Sequence, residues 1–359
     1  FCRFTDLIRG EVEFAWAREQ DHVIQRADGT SLYHLASAVD DHAMEISHVI
    51  RAEEHLSNTP RQMFIAESLG YELPSFAHLP FVAEPGSKNK LSKRKIDKYL
   101  KNPDFANLYE HGLAIALAIG LKPKAETFNP VVVDFYQQVG YLPEALLNYL
   151  LLLGWSLDDK SEIFSLPEMI DHFSLDRVNR SPASFDPQKL WSFEDTHMQA
   201  LSIEQKLPLV MPFLEAGELL PNPLIAEPES FVSQLLRAAG DRIKVAGDIL
   251  DYGDFFVADS ELLFDEKAFE KRLRKPAEAA TLLEEFRDEL ESAERFDADS
   301  LETLLRSFVE SKEIKIGQII HALRIAVTGK AVGFGMFEIL EILGKRRSLD
   351  RIDRALKEI

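Results

Sequence analysis

Residues 86–101, here called the basic segment, hold the residue types that could act on a phosphate. They include seven lysines and arginines against a single acid, Asp97. Lys90 and Lys93 bracket Ser92, and ammonium groups on a flexible loop can neutralise the charge that develops during attack at phosphorus. The alternative is an ordinary solvated basic loop. These residues taken alone do not decide between the two.

A second candidate is Arg51, which follows a strand predicted over residues 46–50. A guanidinium can bind a carboxylate through two parallel hydrogen bonds, and open α/β sheets place their ligands just past the carboxyl ends of strands. The alternative is a structural ion pair with Glu53 or Glu54, in the loop that follows the strand. Local sequence leaves both possibilities open.

The first hundred residues show mixed α/β signals that would position these side chains. Another short strand is predicted over residues 22–26. A helix is predicted to begin at Thr59 as cap, with Pro60 in its first turn and Gln62 completing a capping box, and to end before Gly70.

From residue 142 onward the apolar spacing becomes helical. Apolar residues recur every three or four positions over 142–153, which is typical of an amphipathic helix facing a core. Beyond about residue 200 almost no strand signal remains. Helices are predicted there over residues 234–252, 266–273, 277–293, 300–311 and 316–327.

Composition sets the outer limits on function. The chain has 359 residues and 46% hydrophobic content, which predicts a globular protein of two or three domains. The single cysteine, Cys2, excludes a disulfide framework and a thiolate zinc cluster within the chain. No apolar run reaches the roughly 18 residues that a membrane span needs, so no membrane partner is expected.

The formal net charge is −19, which by itself argues against a general nucleic-acid coat protein. The basic residues are nevertheless localised, since they gather in the basic segment and along the last fifteen residues. Localised basic strips on an acidic protein are compatible with transient binding of a nucleic acid.

The pentapeptide Lys-Leu-Ser-Lys-Arg at residues 90–94 resembles the Lys-Met-Ser-Lys-Ser loop of class I aminoacyl-tRNA synthetases, in the form typical of the glutamyl enzymes. Further blocks resemble this family at the family's spacing. They are residues 32–36, 39–42, 48–62, 140–149, 185–190, 323–329 and 337–345. Because the blocks run the length of the chain, the resemblance is to bacterial-type glutamyl-tRNA synthetases.

This resemblance implies an α/β fold, the C-terminal part of a Rossmann-type class I synthetase catalytic domain, followed by all-α domains. The catalytic part is expected over residues 1–133, with an insertion over about 98–133 that contains a helix near 113–121. A stem-contact region is expected over 134–210, and a helical anticodon-binding domain over 211–359.

The resemblance also assigns roles to residues of the pentapeptide 90–94, here called the signature loop, and of the amino-acid pocket. Lys90, Ser92 and Lys93 match the catalytic loop of the family. Arg51 and Tyr33 match residues that bind the substrate glutamate. The alternative for Tyr33 is a core aromatic side chain.

The same resemblance implies an ATP site. Lys93 and Glu54 would border the nucleotide, and Glu54 is followed by His55 in the same loop. Leu79, Phe81 and Val82 match the strand end whose backbone receives the adenine.

The implied activity is that of an aminoacyl-tRNA ligase, with ATP-dependent activation of glutamate and its transfer to tRNA(Glu). Mg²⁺ is expected with ATP, and no zinc. We expect a cytoplasmic monomer. A metal site is the competing interpretation of a group of acids and histidines, but their spacing matches no metal-binding helix pattern. That group is Asp40, Asp41, His42, His48, Glu53, Glu54 and His55.

The sequence departs from the family in one respect. None of its ten histidines lies in the His-Ile-Gly-His-like tetrad that holds ATP. We expect that tetrad upstream of Phe1, and we expect this chain alone not to form glutamyl-adenylate. The alternatives are a catalytically inactive tRNA-binding fragment or paralogue, and a glutaminyl or non-discriminating enzyme.

Overall fold

The computed structural model describes residues 1–125, 127–223 and 225–359. The chain divides into two compact units. Unit 1 comprises Phe1–Tyr109, Ala125–Val133 and Pro143–Phe193, and unit 2 comprises Glu110–Lys124, Asp134–Leu142 and Glu194–Ile359.

Unit 1 is built around a mixed four-stranded sheet. Its strands are β1 (Cys2–Asp6), β2 (Gly10–Phe14), β3 (His48–Ala52) and β4 (Ser75–Leu79), in the order β2-β1-β4-β3. β1 and β2 are antiparallel, whereas β4 lies parallel to both β1 and β3. The carboxyl ends of β3 and β4 therefore lie at the same edge, where Arg51 is the register partner of His78.

A small two-stranded sheet follows, formed by β5 (Val82–Ala83) and β6 (Ala183–Ser184). Ala83 also forms an antiparallel bridge with Lys90. The basic segment thus leaves β5 and returns beside it.

The helices that begin before residue 200 connect these strands or continue from them. They are α1 (Tyr33–Ala43), α2 (Thr59–Ser68), α3 (Ile96–Tyr99), α4 (Pro103–Ala118), α5 (Val133–Val139), α6 (Pro143–Leu151), α7 (Leu166–His172) and α8 (Pro187–Ala200). The helix predicted near 113–121 is the second half of α4. The amphipathic helix predicted from residue 142 is α6.

The strand predicted over 22–26 is wrong. Gln25 and Ser31 form only an isolated bridge. The chain turns back on itself there, as the hydrogen bond from the Leu32 N–H to the Ile24 carbonyl at 2.8 Å shows. The described residues form no continuous strand ladder at this turn. The strand predicted over 46–50 is present two residues later, as β3.

After residue 200 the described residues form helices around one apolar core. The helices are α9 (Ile203–Ala216), α10 (Pro228–Ala239), α11 (Glu266–Phe269), α12 (Ala279–Ser292), α13 (Ala298–Ser311), α14 (Gly317–Thr328) and α15 (Met336–Lys357). Fully buried residues such as Leu235, Phe286, Leu305, Leu323 and Leu340 form this core. α12, α13 and α14 correspond to three of the predicted helices.

The helix predicted over 234–252 is wrong as a single element. α10 ends at Ala239 because Gly240 adopts a positive φ of 59°, a backbone conformation that glycine tolerates at no steric cost. A separate 3₁₀ helix, Ala246–Phe255, follows. The helix predicted over 266–273 begins as α11 and continues as a π-helix, Glu270–Arg274.

The basic strip predicted at the end of the chain is also wrong for most of its arginines. Arg351 is fully buried, and its guanidinium donates to Asp259 Oδ1 (2.5 Å) and to the carbonyls of Val327 (2.6 Å) and Asp254 (2.8 Å). Arg347 and Arg354, on the same helix, also donate to carbonyls of residues 255–262. These cations serve the fold of unit 2.

We expect Arg351→Met to lower the free energy of unfolding of unit 2 by about 3–5 kcal/mol, because it leaves the Val327 and Asp254 carbonyls without this donor and removes a buried cation from Asp259, which keeps its contact with Arg347. Urea unfolding followed by far-UV circular dichroism measures the loss. The control is Arg346→Met, since the Arg346 side chain is 93% exposed and its change should cost within about 0.5 kcal/mol. Equal losses in the two variants would contradict the assignment.

Candidate functional site

Arg51 lies at the carboxyl end of β3 and makes three short hydrogen bonds to neutral acceptors. Nε donates to His78 Nε2 (3.1 Å), Nη1 to Gln62 Oε1 (2.7 Å) and Nη2 to Thr59 Oγ1 (2.8 Å). The acceptors belong to the neighbouring strand and to the first turn of α2. The strand-loop-helix order therefore brings them around one guanidinium.

The predicted capping box of Thr59 and Gln62 is wrong. Thr59 is the first residue of α2, and the N-cap residue, Asn58, makes no side-chain cap hydrogen bond. Both side chains of the predicted box accept from Arg51 instead. A guanidinium carries five N–H donors in a fixed geometry. Arg51 donates to the two polar side chains that the sequence pattern predicts to cap the helix.

His78 is held by a buried carboxylate. Both side chains are fully buried, and His78 Nδ1 lies 2.6 Å from Asp6 Oδ2. Because an ionised carboxylate can only accept, Nδ1 carries the proton and Nε2 is left as the acceptor for Arg51. Burial lowers the pKa of His78, which favours this neutral form.

No carboxylate in the described ranges forms an ion pair with Arg51. Glu53 pairs with Arg9 at 2.6 Å, and Glu54 pairs with Lys90. The alternative of an ion pair between Arg51 and either acid is therefore wrong. Burial lowers the pKa of the Arg51 guanidinium. An arginine nevertheless stays protonated at neutral pH. Its positive charge meets neutral acceptors only, which favours an anionic ligand.

Tyr33 begins α1 and is 52% exposed, which excludes the core-aromatic alternative. Its ring centroid lies 6.2 Å from that of His55. Arg51 contacts the same residue, since its Nη2 donates to the His55 carbonyl at 3.4 Å. The two residues predicted to bind glutamate are therefore neighbours.

The basic segment begins after β5 and folds back beside it. Glu84 N–H donates to the Asn89 carbonyl (2.7 Å), and Leu91 N–H donates to the Val82 carbonyl (2.9 Å). Lys90 pairs with Glu54, which lies in the 3₁₀ helix Glu53–Asn58 directly after β3. The predicted ATP-border acid and a predicted catalytic lysine are thus in contact.

Ser92 and Lys93 directly follow Leu91, where the chain has come back beside β5. Ser92 precedes a short 3₁₀ helix, Lys93–Lys95, and its backbone N–H donates to the Tyr99 hydroxyl at 3.0 Å. Lys93 is exposed and has no carboxylate partner among the described residues. Of the two predicted catalytic lysines, Lys93 is the one left unpaired.

Leu79, Phe81 and Val82 lie where β4 ends and β5 begins, as expected from the sequence. Some of their backbone groups already have partners. Phe81 N–H donates to Glu53 Oε1 at 3.5 Å, and the Val82 carbonyl accepts from Leu91. A nucleotide at this edge would therefore use the remaining backbone groups or replace these bonds.

Sequence reasoning missed Asp6 and His78. The available signal was weak: each is a polar residue at or near the end of a short apolar-polar segment, and only the three-dimensional register brings them together. Among the described residues, no group of three or more histidines, cysteines or acids is arranged to hold a metal ion. None of the helices in the described ranges is long and apolar enough to cross a membrane.

Comparison with known families finds two matches that together cover most of the chain. Residues 2–116 and 123–192 match the catalytic domain of tRNA synthetases class I (E and Q), and residues 205–356 match an anticodon-binding domain. Within the predicted insertion, only residues 117–122 lie outside the first match.

Individual relatives agree with these matches. The glutamate–tRNA ligase of Moorella thermoacetica is 38% identical over 99% of this chain and 65% of its own length, and that of Dehalococcoides mccartyi is 35% identical over 99% and 66%. The chain thus spans about two thirds of the length of these curated relatives, just under that fraction.

Solved structures of the same kind are also similar. A glutamate tRNA ligase from Elizabethkingia meningosepticum, in complex with its amino acid, is 30% identical and aligns with a TM-score of 0.78 over 99% of this chain and 66% of its own. The glutamate-tRNA synthetase of Elizabethkingia anophelis aligns with a TM-score of 0.74 and 30% identity over the same shares. With a family model matched over more than half of its residues, this chain belongs to the class I tRNA synthetases of the glutamate and glutamine group.

Proposed function

We propose that this chain is part of a glutamate–tRNA ligase, which activates glutamate with ATP and transfers it to tRNA(Glu). The observation that carries the proposal is the Arg51 guanidinium, which is held by three neutral acceptors and by no carboxylate in the described ranges. A cation prepared in this way is suited to the side-chain carboxylate of glutamate. Tyr33, whose ring lies near the same His55 that Arg51 contacts, would supply a neutral hydroxyl.

The basic segment would act on ATP. Glutamate attacks the α-phosphorus through its α-carboxylate, a bond to the nucleotide phosphate forms, and pyrophosphate leaves. Lys93, with Lys90 and the Ser92 hydroxyl, would stabilise the charge on the phosphates as this bond forms. Glu54, Leu79, Phe81 and Val82 would border the nucleotide, and Mg²⁺ would arrive with ATP as part of the substrate.

For Lys90 to reach a phosphate, its ion pair with Glu54 must open. That pair is exposed, with side-chain exposures of 55% and 44%. Exposed ion pairs contribute about 0–1 kcal/mol, so the exchange of a carboxylate for a phosphate costs little. Lys93 is unpaired and needs no such exchange.

Transfer of the glutamyl group requires the tRNA, which would bind to the helical parts of the chain. Residues 134–210 would contact the stem region and residues 211–359 the anticodon, in a cytoplasmic monomer. The match of residues 205–356 to an anticodon-binding domain supports this assignment.

A second candidate is a tRNA-binding chain without catalysis of its own. It is supported by the match of residues 205–356 to an anticodon-binding domain, which requires no catalysis. Pyrophosphate exchange into ATP, measured with glutamate and with tRNA present, separates the two candidates. Exchange above a no-enzyme blank supports ligase activity, and tRNA binding without exchange supports the second candidate.

In the full-length enzyme that contains this chain, we expect Lys93→Ala to slow adenylate formation by about a hundredfold to a thousandfold, because it removes charge stabilisation at the phosphates. The KM for glutamate should stay unchanged, since the lysine acts on the nucleotide. Pyrophosphate exchange measures both. Lys101→Ala, in the same segment, is the control and should keep the wild-type rate. An equal rate for wild type and Lys93→Ala would remove Lys93 from the mechanism.

We expect Arg51→Gln to weaken glutamate binding by about tenfold to a hundredfold, the loss of a charged hydrogen-bond pair. Discrimination against glutamine should fall at the same time, because no cation remains to prefer a carboxylate. Competition calorimetry with the two amino acids measures both effects. Arg26→Gln, an exposed arginine of unit 1, should leave them unchanged. Retained discrimination in Arg51→Gln would exclude the proposed pocket.

The neutral state of His78 predicts a pH dependence for unit 1. Its pKa is lowered in the folded protein, so folding disfavours protonation and stability falls as pH drops below the unfolded value of about 6.5. Urea unfolding at pH 7.5 and pH 5.5, followed by tryptophan fluorescence, measures this. Trp16, Trp155 and Trp191 all lie in unit 1.

The dependence should be smaller in His78→Gln, which has no titratable ring. His48→Gln is the matched control and should behave as the wild type, since the His48 side chain is exposed. The same pH dependence in both variants would show that His78 does not stay neutral in the folded state.

A further inference from the structure

Glu84 is a buried acid two residues before the basic segment. Its side chain is only 1% exposed, and it accepts hydrogen bonds from Lys95 Nζ (2.8 Å) and from Lys98 Nζ. The Tyr99 hydroxyl also donates to its Oε1, at 3.3 Å. One carboxylate therefore gathers three donors that follow the signature loop in sequence.

Tyr99 links this carboxylate to the signature loop itself. Its ring is 2% exposed, so its position is fixed by packing. Its hydroxyl accepts from the Ser92 backbone N–H at 3.0 Å while it donates to Glu84. A continuous line of hydrogen bonds thus runs from the buried acid to the residue between Lys90 and Lys93.

Glu84 also determines which cations of the basic segment remain available. Lys95 and Lys98 are neutralised by it, and these contacts lower the pKa of Glu84 to about 2. The carboxylate therefore stays ionised at any working pH. Lys93 and Arg94 of the signature loop have no carboxylate partner among the described residues, and Lys88 and Lys101 are likewise exposed and without one.

We propose that Glu84 is a positioning residue for the triphosphate. Through Tyr99 it fixes Ser92, and it thereby holds Lys90 and Lys93 at the spacing that a bound nucleotide requires. This inference rests on the proposed function, in which the basic segment binds ATP. Glu84 itself need not touch the nucleotide, because its carboxylate is fully used by the chain's own donors.

The sign of one binding change tests the role. Glu84→Gln removes a negative charge and frees two lysines, so attraction alone predicts tighter binding of Mg-ATP to this chain. Positioning predicts weaker binding, by about tenfold, the equivalent of one lost charged hydrogen bond. Titration calorimetry with Mg-ATP measures the dissociation constant.

Asp97→Asn is the matched control. Asp97 lies in the same segment, is exposed, and forms no hydrogen bond or ion pair in the part of the chain that the structure describes. The change in charge is identical, and here we expect equal or slightly tighter binding. Tyr99→Phe, which keeps the ring and removes only the hydroxyl, should weaken binding in the same direction as Glu84→Gln.

Hydrogen exchange at the Ser92 amide tests the positioning independently of ATP. We expect exchange to accelerate by about tenfold or more in Glu84→Gln and Tyr99→Phe, because the amide loses its ordered acceptor, and to stay at the wild-type rate in Asp97→Asn. If the wild-type chain binds no Mg-ATP, the proposed ATP site fails, and the exchange rates alone decide whether Glu84 orders the loop.

Two results would overturn the inference. One is tighter Mg-ATP binding in Glu84→Gln, of the size seen in Asp97→Asn. The other is an unchanged Ser92 exchange rate in both Glu84→Gln and Tyr99→Phe.

Discussion

The hydrogen-bond chain from Asp6 through His78 to Arg51 is the interaction on which the candidate site depends. Asp6 receives backbone N–H groups and the His78 ring proton, so its charge is fully used within the fold. His78 then presents a lone pair instead of a proton to the guanidinium. Arg51 is oriented through a neutral ring, and its own charge is not cancelled. A carboxylate in direct contact would orient the guanidinium equally well but would occupy the place of an anionic ligand.

Ion pairs elsewhere in unit 1 also leave selected cations without a carboxylate partner. The protein carries a formal charge of −19, yet its acids are placed so that selected cations stay unpaired. Glu53 is taken by Arg9, and Glu84 by two lysines of the basic segment. Arg51 and Lys93 remain without carboxylates among the described residues. Net charge therefore says little about what such a protein binds, because the local arrangement of ion pairs determines which charges are available.

The sequence predicted long, periodic elements well and paired polar contacts poorly. α6, α12, α13 and α14 were predictable because their apolar spacing is local. The strand over 22–26 was not correct, since strand formation needs a partner that local pattern does not reveal. Thr59 and Gln62 fit a capping box in sequence, but Arg51 arrives from another strand and takes both side chains. The C-terminal arginines looked like a surface strip because burial of a cation is invisible until its carbonyl partners are known.

The arginines of α15 have a consequence for biosynthesis. Residues 254–262 lack regular strand or α-helical pairing for much of their length, and Arg347, Arg351 and Arg354 supply donors to their carbonyls. During translation, that segment is made about ninety residues before its partners. The described residues of unit 1 end at Phe193, so they are all made before α15 and can fold earlier, as domains made early generally do. The carbonyls of residues 254–262 therefore lack these donors until Arg347, Arg351 and Arg354 have been made.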